Sequence, residues 1–239
     1  MFPHLIKAKN LFLDILFPPI CLSCQKHTEN RNLPVCGDCF KSIKINNTLF
    51  CPVCRARLPD GKKICHYDSP YLLAAAASYD NPAVQNLIHC FKYKGFENLS
   101  VSLSEIATEY LGDLIRNLKL EIRNFVIVPI PLYFWRERER GFNQAKLISE
   151  NLSLALKLTL VDGLKRTKKT EPQAKSKNAE ERAKNISGCF AAKNPSEIAG
   201  KNILLVDDVF TSGATMNEAV KTLKSAGAGK IIALTLAKV

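Results

Sequence analysis

No stretch of the sequence reaches the roughly 18 consecutive apolar residues that a membrane-spanning helix needs, so no span is expected. The beginning of the chain also lacks the marks of a secretory signal. Lys7, Lys9 and Asp14 interrupt its apolar residues, and no small-residue cleavage site follows. The cytoplasm is therefore the expected compartment. Acidic residues are scarce: 22 Asp and Glu stand against 34 Lys and Arg, a formal net charge of +12. A surplus of this size favours an anionic partner such as nucleic acid, a polyphosphorylated metabolite or a membrane surface, without choosing among them. Internal repeats are lacking too, apart from recurring cysteine pairs. A hydrophobic content of 46% with 23% charged residues excludes a disordered chain, and 239 residues can bury a core without covalent staples.

What is present in quantity is cysteine, and its distribution is uneven. Seven of the nine lie between Cys21 and Cys65, while Cys90 and Cys189 stand alone and read as buried core residues. Cys21 with Cys24, Cys36 with Cys39 and Cys51 with Cys54 are Cys-x-x-Cys knuckles, which in a chain without an export signal read as metal sites rather than disulfides. Four thiolates close a tetrahedral Zn²⁺ site, and closure argues for structure rather than catalysis. The second pair precedes Phe40-Lys41-Ser42-Ile43, a short helix of the kind seen in treble-clef-like ribbons, so Cys21, Cys24, Cys36 and Cys39 are expected to form the first site. Cys51, Cys54 and Cys65 leave a second site one ligand short, because Asp68 stands where a fourth cysteine would be expected. His66 is available but sits awkwardly beside Cys65. Zinc should contribute on the order of 10 kcal/mol to a module otherwise too small to fold alone.

Three regions follow from the pattern. Residues 1–20 carry Leu5, Ile6, Leu11, Phe12, Ile15 and Leu16 at helical spacing and end at Pro18-Pro19, which predicts an amphipathic helix packed on its own protein. Residues 21–70 are the cysteine module. Residues 71–239 alternate strand-like and helix-like stretches: strands near 72–79, 125–130, 202–206 and 231–236, and helices from Asn81-Pro82 to near Gly95, over 99–118, 142–156 and 216–226. Residues 163–184, rich in Lys, Arg, Thr and Gln, read as a mobile loop. Such alternation predicts an α/β fold, a mostly parallel sheet with helices on both faces.

The most informative segment is Ile203-Leu204-Leu205-Val206-Asp207-Asp208-Val209-Phe210-Thr211-Ser212-Gly213-Ala214-Thr215. An apolar strand delivers two acids to its carboxyl end, where open α/β sheets bind ligands. A glycine-containing loop and a helix start follow, able to converge N–H groups and a positive dipole on a phosphate monoester. Thr211, Ser212 and Thr215 add hydroxyls, and Asp207 and Asp208 can accept from vicinal ribose hydroxyls. The competing reading makes the acids a helix cap and the loop an ordinary turn. A second strand, Val126 to Val128, runs into Pro129-Ile130-Pro131 and then Arg136, Arg138 and Arg140. Arg136 and Arg140 suit phosphate oxygens, whereas Arg138 fits a solvated face paired with Glu137 and Glu139.

The strand-acid-hydroxyl segment resembles the type I phosphoribosyltransferase signature. Joined to the cysteine module, and with Phe91-Lys92-Tyr93-Lys94-Gly95-Phe96, Arg140-Gly141-Phe142-Asn143-Gln144-Ala145, and Gln173 with Arg182 and Asn185, the chain resembles the ComF (ComFC, GntX-like) family over nearly its whole length. Phe210 is bulkier than the aliphatic residue usual there. The resemblance implies that Asp207 and Asp208 hold the ribose diol, Thr211, Ser212, Gly213, Ala214 and Thr215 the 5′-phosphate, and Pro129, Ile130, Pro131, Arg136 and Arg140 a diphosphate loop with strained backbone. It implies a flexible loop, carrying Arg166, Lys168, Gln173 and Arg182, that closes over the site. The ligand would be phosphoribosyl diphosphate with Mg²⁺. The family's setting is natural transformation, with single-stranded DNA and DNA-uptake proteins such as a helicase as partners. Phosphoribosyl transfer to an unnamed acceptor is the alternative activity. Lys92, Tyr93 and Lys94, basic residues alternating with an aromatic one, are candidate nucleic-acid contacts; one helix packing its apolar side on the sheet would explain the same stretch.

Overall fold

A computed structural model describes residues 19–28, 33–58, 65–66, 68–169 and 184–239. The amphipathic helix expected within residues 1–20 lies almost wholly outside the described residues, as do Gln173 and Arg182. A short helix α1 (Gly37–Lys41) precedes a hairpin of β1 (Leu49–Phe50) and β2 (Arg57–Leu58). Then come β3 (Leu72–Ser78), α2 (Pro82–Tyr93), α3 (Leu99–Leu118), β4 (Phe125–Pro129), α4 (Phe134–Arg140) and α5 (Gln144–Leu156). β5 (Thr159–Leu160), β6 (Leu164–Arg166), β7 (Phe190–Ala192), α6 (Pro195–Ile198), β8 (Asn202–Phe210), α7 (Ala214–Ser225) and β9 (Ile231–Lys238) complete the order.

The main sheet has seven strands in the order β2-β1-β3-β9-β8-β4-β5. From β3 onward every pairing in it is parallel, and only the β1–β2 hairpin and its junction with β3 are antiparallel. The central strands β3, β9, β8 and β4 are buried on both faces, and the period of two decides which residue serves which face. In β8, Leu204 and Val206 join the core under α2, α3 and α5, while Ile203 and Leu205 join the core under α7 and the β6–β7 hairpin. β9 divides the same way, with Ile232 and Leu234 on one side and Ile231 and Ala233 on the other. Each fully buried aliphatic side chain contributes about 1.5–3 kcal/mol. β3 is mostly alanine, so α3 approaches closely: the buried Tyr110 hydroxyl donates to the Thr48 carbonyl at 2.7 Å and accepts from the Ala75 N–H at 3.2 Å.

Local signals explain the helix starts. The Asn81 side chain accepts from the N–H groups of Ala83 and Val84, with Pro82 in the first turn of α2. The Asn143 side chain accepts from the Lys146 N–H and opens α5. Two expectations are corrected. Residues 164–166, read as part of a loop, form β6, because they find β7 as an antiparallel partner in register Leu164↔Ala192 and Arg166↔Phe190. β8 does not stop at Val206. β9 continues to pair with it, Asp207 opposite Thr235 and Phe210 opposite Lys238, so both acids are strand residues.

Candidate active site and metal centres

The carboxyl ends of β4 and β8, the last turn of α2, α4 and β6 surround a cavity of about 690 Å³. Asp207, Asp208, Thr211 and Thr215 line it together with Arg136, Arg140, Arg166 and Lys92, and Glu139, Tyr79, Tyr93 and Ile130 complete the wall. Of the residues expected at the phosphate and ribose positions, Asp207, Asp208, Thr211 and Thr215 are among those that line this cavity. The sequence did not foresee Tyr79, which follows β3.

Lys92 reaches from α2 to place its ammonium 2.7 Å from the Asp208 carboxylate. Burial works against the charge on Lys92, but Asp208, the hydrogen bond to it and Asp207 outweigh that cost and hold the ammonium above its ordinary range. Lys92 is thus turned inward, and does not share the exposed surface with Tyr93 and Lys94. The Asp208 N–H donates to Asp207 Oδ1 at 2.8 Å. Burial first, then the neighbouring Asp208, pushes the Asp207 carboxyl up to about 7.

Beyond β8 the chain turns at Gly213, whose φ of +81° suits glycine. A Cβ there would lie 2.8 Å from Phe210 Cζ, and Phe210 is buried, so ring and glycine require each other. This accounts for the bulky residue at 210. α7 then starts at Ala214, whose N–H is 3.4 Å from Ser212 Oγ. The amino-terminal end of α7, with its positive dipole, is suited to a phosphate.

Arg136 and Arg140 stand on one side of α4, four residues apart. Burial, then Arg166 and Arg140, pulls the Arg136 guanidinium below its ordinary range, and burial does the same to Arg166. Like charges held together out of water fit a polyanion. The Arg140-to-Ala145 motif positions this wall. Gly141 ends α4 at φ +86°, the Asn143 side-chain amide donates to the Ile130 carbonyl at 3.1 Å, and Gln144 Oε1 accepts from Arg140 at 3.0 Å. Gln144 also reaches the Phe91 carbonyl, and the Phe91 and Phe142 rings lie 5.3 Å apart. The strain expected at Pro129, Ile130 and Pro131 is not found. No left-handed φ occurs there, no peptide among the described residues is cis, and the Ile130 N–H continues the ladder to Val206 at 2.9 Å. Arg138 and Lys168 are exposed.

The cysteines gather into two sets whose donor atoms all lie within 4.8 Å of one another: Cys21, Cys24, Cys36 and Cys39, and Cys51, Cys54, Cys65 and His66. The second set is complete, which corrects the expectation of a missing ligand at Asp68. Residues 65 and 66 form a bend, so their side chains converge, and His66 Nδ1 lies 3.5 Å from Cys51 Sγ and 3.4 Å from Cys65 Sγ. The knuckles at Cys21 and Cys51 are the same turn. Gln25 N–H donates to Cys21 O and Arg55 N–H to Cys51 O, both at 2.8 Å, with φ of 59° and 62° at Gln25 and Arg55. Burial would raise the Cys21 thiol, but the N–H groups of Cys24, Cys36 and Ser23 bring it down to about 6; Cys51 is lowered to about 6 in the same way. Thiolate and imidazole donors in two closed sets suit structural Zn²⁺.

Residues 103–239 match the family model described as a phosphoribosyl transferase domain, and residues 12–67 match the double zinc ribbon domain. Competence protein F of Haemophilus influenzae (strain KW20 Rd) is 30% identical over 224 residues, 92% of this chain and 90% of that protein. Competence protein ComFC of Bacillus subtilis (strain 168) is 28% identical, covering 91% of this chain and 83% of its own length. DNA utilization protein YhgH of Escherichia coli (strain K12) is 27% identical, covering 90% and 94%. Among solved structures, glutamine phosphoribosylpyrophosphate (PRPP) amidotransferase from B. subtilis, complexed with ADP and GMP, aligns with a TM-score of 0.41 and 15% identity over 62% of this chain. The chain spans 30% of that protein's length.

Proposed function

Because the chain belongs to the phosphoribosyl transferase domain family, in the form that joins this domain to a double zinc ribbon in the ComF family, we propose that its cleft binds phosphoribosyl diphosphate as the Mg²⁺ complex. We propose further that the protein handles incoming single-stranded DNA in the cytoplasm, alongside DNA-uptake proteins such as a helicase. One observation carries the ligand: a single cavity is lined by paired carboxylates, two threonines of the loop after β8 and three arginines. That set matches the diol and the phosphates of a doubly phosphorylated sugar.

Each group then has a task. Asp208, paired with Lys92, and Asp207 accept hydrogen bonds from the ribose diol. The amides and hydroxyls of residues 211–215 hold the 5′-phosphate. Arg136, Arg140 and Arg166 neutralise the diphosphate, with Mg²⁺ arriving on the diphosphate oxygens as part of the ligand. The competence and DNA utilization names of the relatives support the DNA role, and the net charge of +12 agrees with it.

A second reading is phosphoribosyl transfer itself, favoured by both acids and the loop hydroxyls standing round one cavity with room for an acceptor. The C1–diphosphate bond would break as an acceptor nucleophile bonds to C1, with the developing positive charge stabilised electrostatically. Thermal unfolding with and without the Mg²⁺ complex tests the site. Ligand should raise the melting temperature of the parent and leave that of the D207N/D208N double variant unchanged. Equal stabilisation of both proteins would reject the assignment.

A further inference from the structure

α4 has a second face that the cleft leaves unused. While Arg136 and Arg140 line the cavity, Phe134 and Trp135 are 61% and 59% exposed, their rings 5.5 Å apart at 70°. Arg138, one turn on, is also exposed. Across the rim Tyr93 is 65% exposed, and the Arg140 guanidinium lies 5.2 Å from its ring centroid. Lys94 beside it faces water.

Aromatic rings of this size turned to solvent add nothing to the core and expose apolar area that folding ordinarily hides. Cations stand beside them, Arg138 on α4 and Lys94 next to Tyr93, with Glu137 and Glu139 between the arginines of the helix. That combination matches one ligand chemistry, unstacked bases joined by phosphates: every base has a face that stacks on an aromatic ring, and guanidinium groups take the phosphates. A duplex keeps its bases stacked on one another and has no face to offer.

We propose that the outer face of α4 is a base-stacking platform for single-stranded nucleic acid, with Phe134 and Trp135 as the stacking rings, Arg138 on the phosphates, and the strand continuing toward Tyr93 and Lys94. This rests on the DNA-handling reading and gives it a place. Since Arg136 and Arg140 sit on the same helix and Tyr93 also belongs to the cavity wall, the strand would pass along the rim of the phosphoribosyl cleft.

Trp135 is the single tryptophan of the chain, so its emission reports on this face alone. The zinc-loaded full chain is titrated with a labelled thymidine oligonucleotide, following tryptophan emission and anisotropy together. Binding should quench the emission. Phe134→Ala and Trp135→Ala should each weaken binding on the order of tenfold without changing the salt dependence. Trp135→Phe should retain the affinity, and Arg138→Gln should lower the log–log salt slope by about 0.7. Stabilisation by phosphoribosyl diphosphate should be unchanged in all four. A parent that binds the strand with unaltered emission, and a W135A variant of parental affinity, would overturn the platform while leaving DNA handling intact. A parent that binds no strand would remove both. Emission altered by phosphatidylserine vesicles and not by the oligonucleotide would assign the patch to a lipid surface and overturn the proposal.

Discussion

Lys92 and Asp208, far apart in the chain, form an ion pair of 2.7 Å at the edge of the cleft, with side chains only 19% and 13% exposed. The contact joins the last turn of α2 to the end of β8, and makes α2 part of the cleft wall as well as a cover for the sheet. It also separates the two neighbouring acids: Asp208 has a cation, and Asp207 has the Asp208 amide.

Removing one partner of this pair should cost more than removing both. Lys92→Met leaves a largely buried carboxylate without its cation, and should lower stability by about 1–3 kcal/mol. In the K92M/D208N double variant the loss should be smaller than the sum of the single losses. Urea unfolding of the four proteins in the cycle measures the coupling; strict additivity would show that the pair contributes nothing.

Asp207 should make stability depend on pH in a direction unusual for a carboxylate. Its folded-state value is pushed up to about 7, so between the ordinary carboxylate range and pH 7 the folded protein keeps a proton that the unfolded chain releases. The contribution is full below the unfolded value, near about 4, and is lost as pH rises through about 7. Melting temperatures of the parent and Asp207→Asn, compared across this window, should show the parent losing ground to the variant as pH rises. A constant difference would mean that Asp207 titrates normally.

His66 should behave as a zinc ligand. Its Nδ1 lies 3.4 Å from Cys65 Sγ inside a closed set of four donors. His66→Ala should reduce bound zinc from about two ions per chain toward one, and should lower the stability of the β1–β2 hairpin side of the sheet. Metal analysis after dialysis, with amide exchange over residues 49–58, checks both. His66→Cys should restore the metal content.

Much of this architecture was legible in the residue order because local physics sets it. Asn81 and Asn143 announce helix starts through their own side chains, and the alternating burial of Ile203, Leu204, Leu205 and Val206 follows from the two-residue period of a strand covered on both faces. The acid-hydroxyl-glycine segment was legible for the same reason: strand end, turn and helix start are contiguous. β6 was not, because Leu164, Lys165 and Arg166 carry no strand pattern until Phe190–Ala192 lies beside them.

The sequence by itself determined the strand and helix periods, the Cys-x-x-Cys turns and the chemical order of the phosphate segment, all of which depend on neighbours a few residues away. Only the tertiary structure decided that Lys92 meets Asp208, that Arg166 joins Arg136 and Arg140, and that His66 completes the second metal set. Apart from that His66 bend, those contacts close long loops of chain. Which residues meet across them is set by how the sheet and its covering helices pack, and no local spacing encodes it.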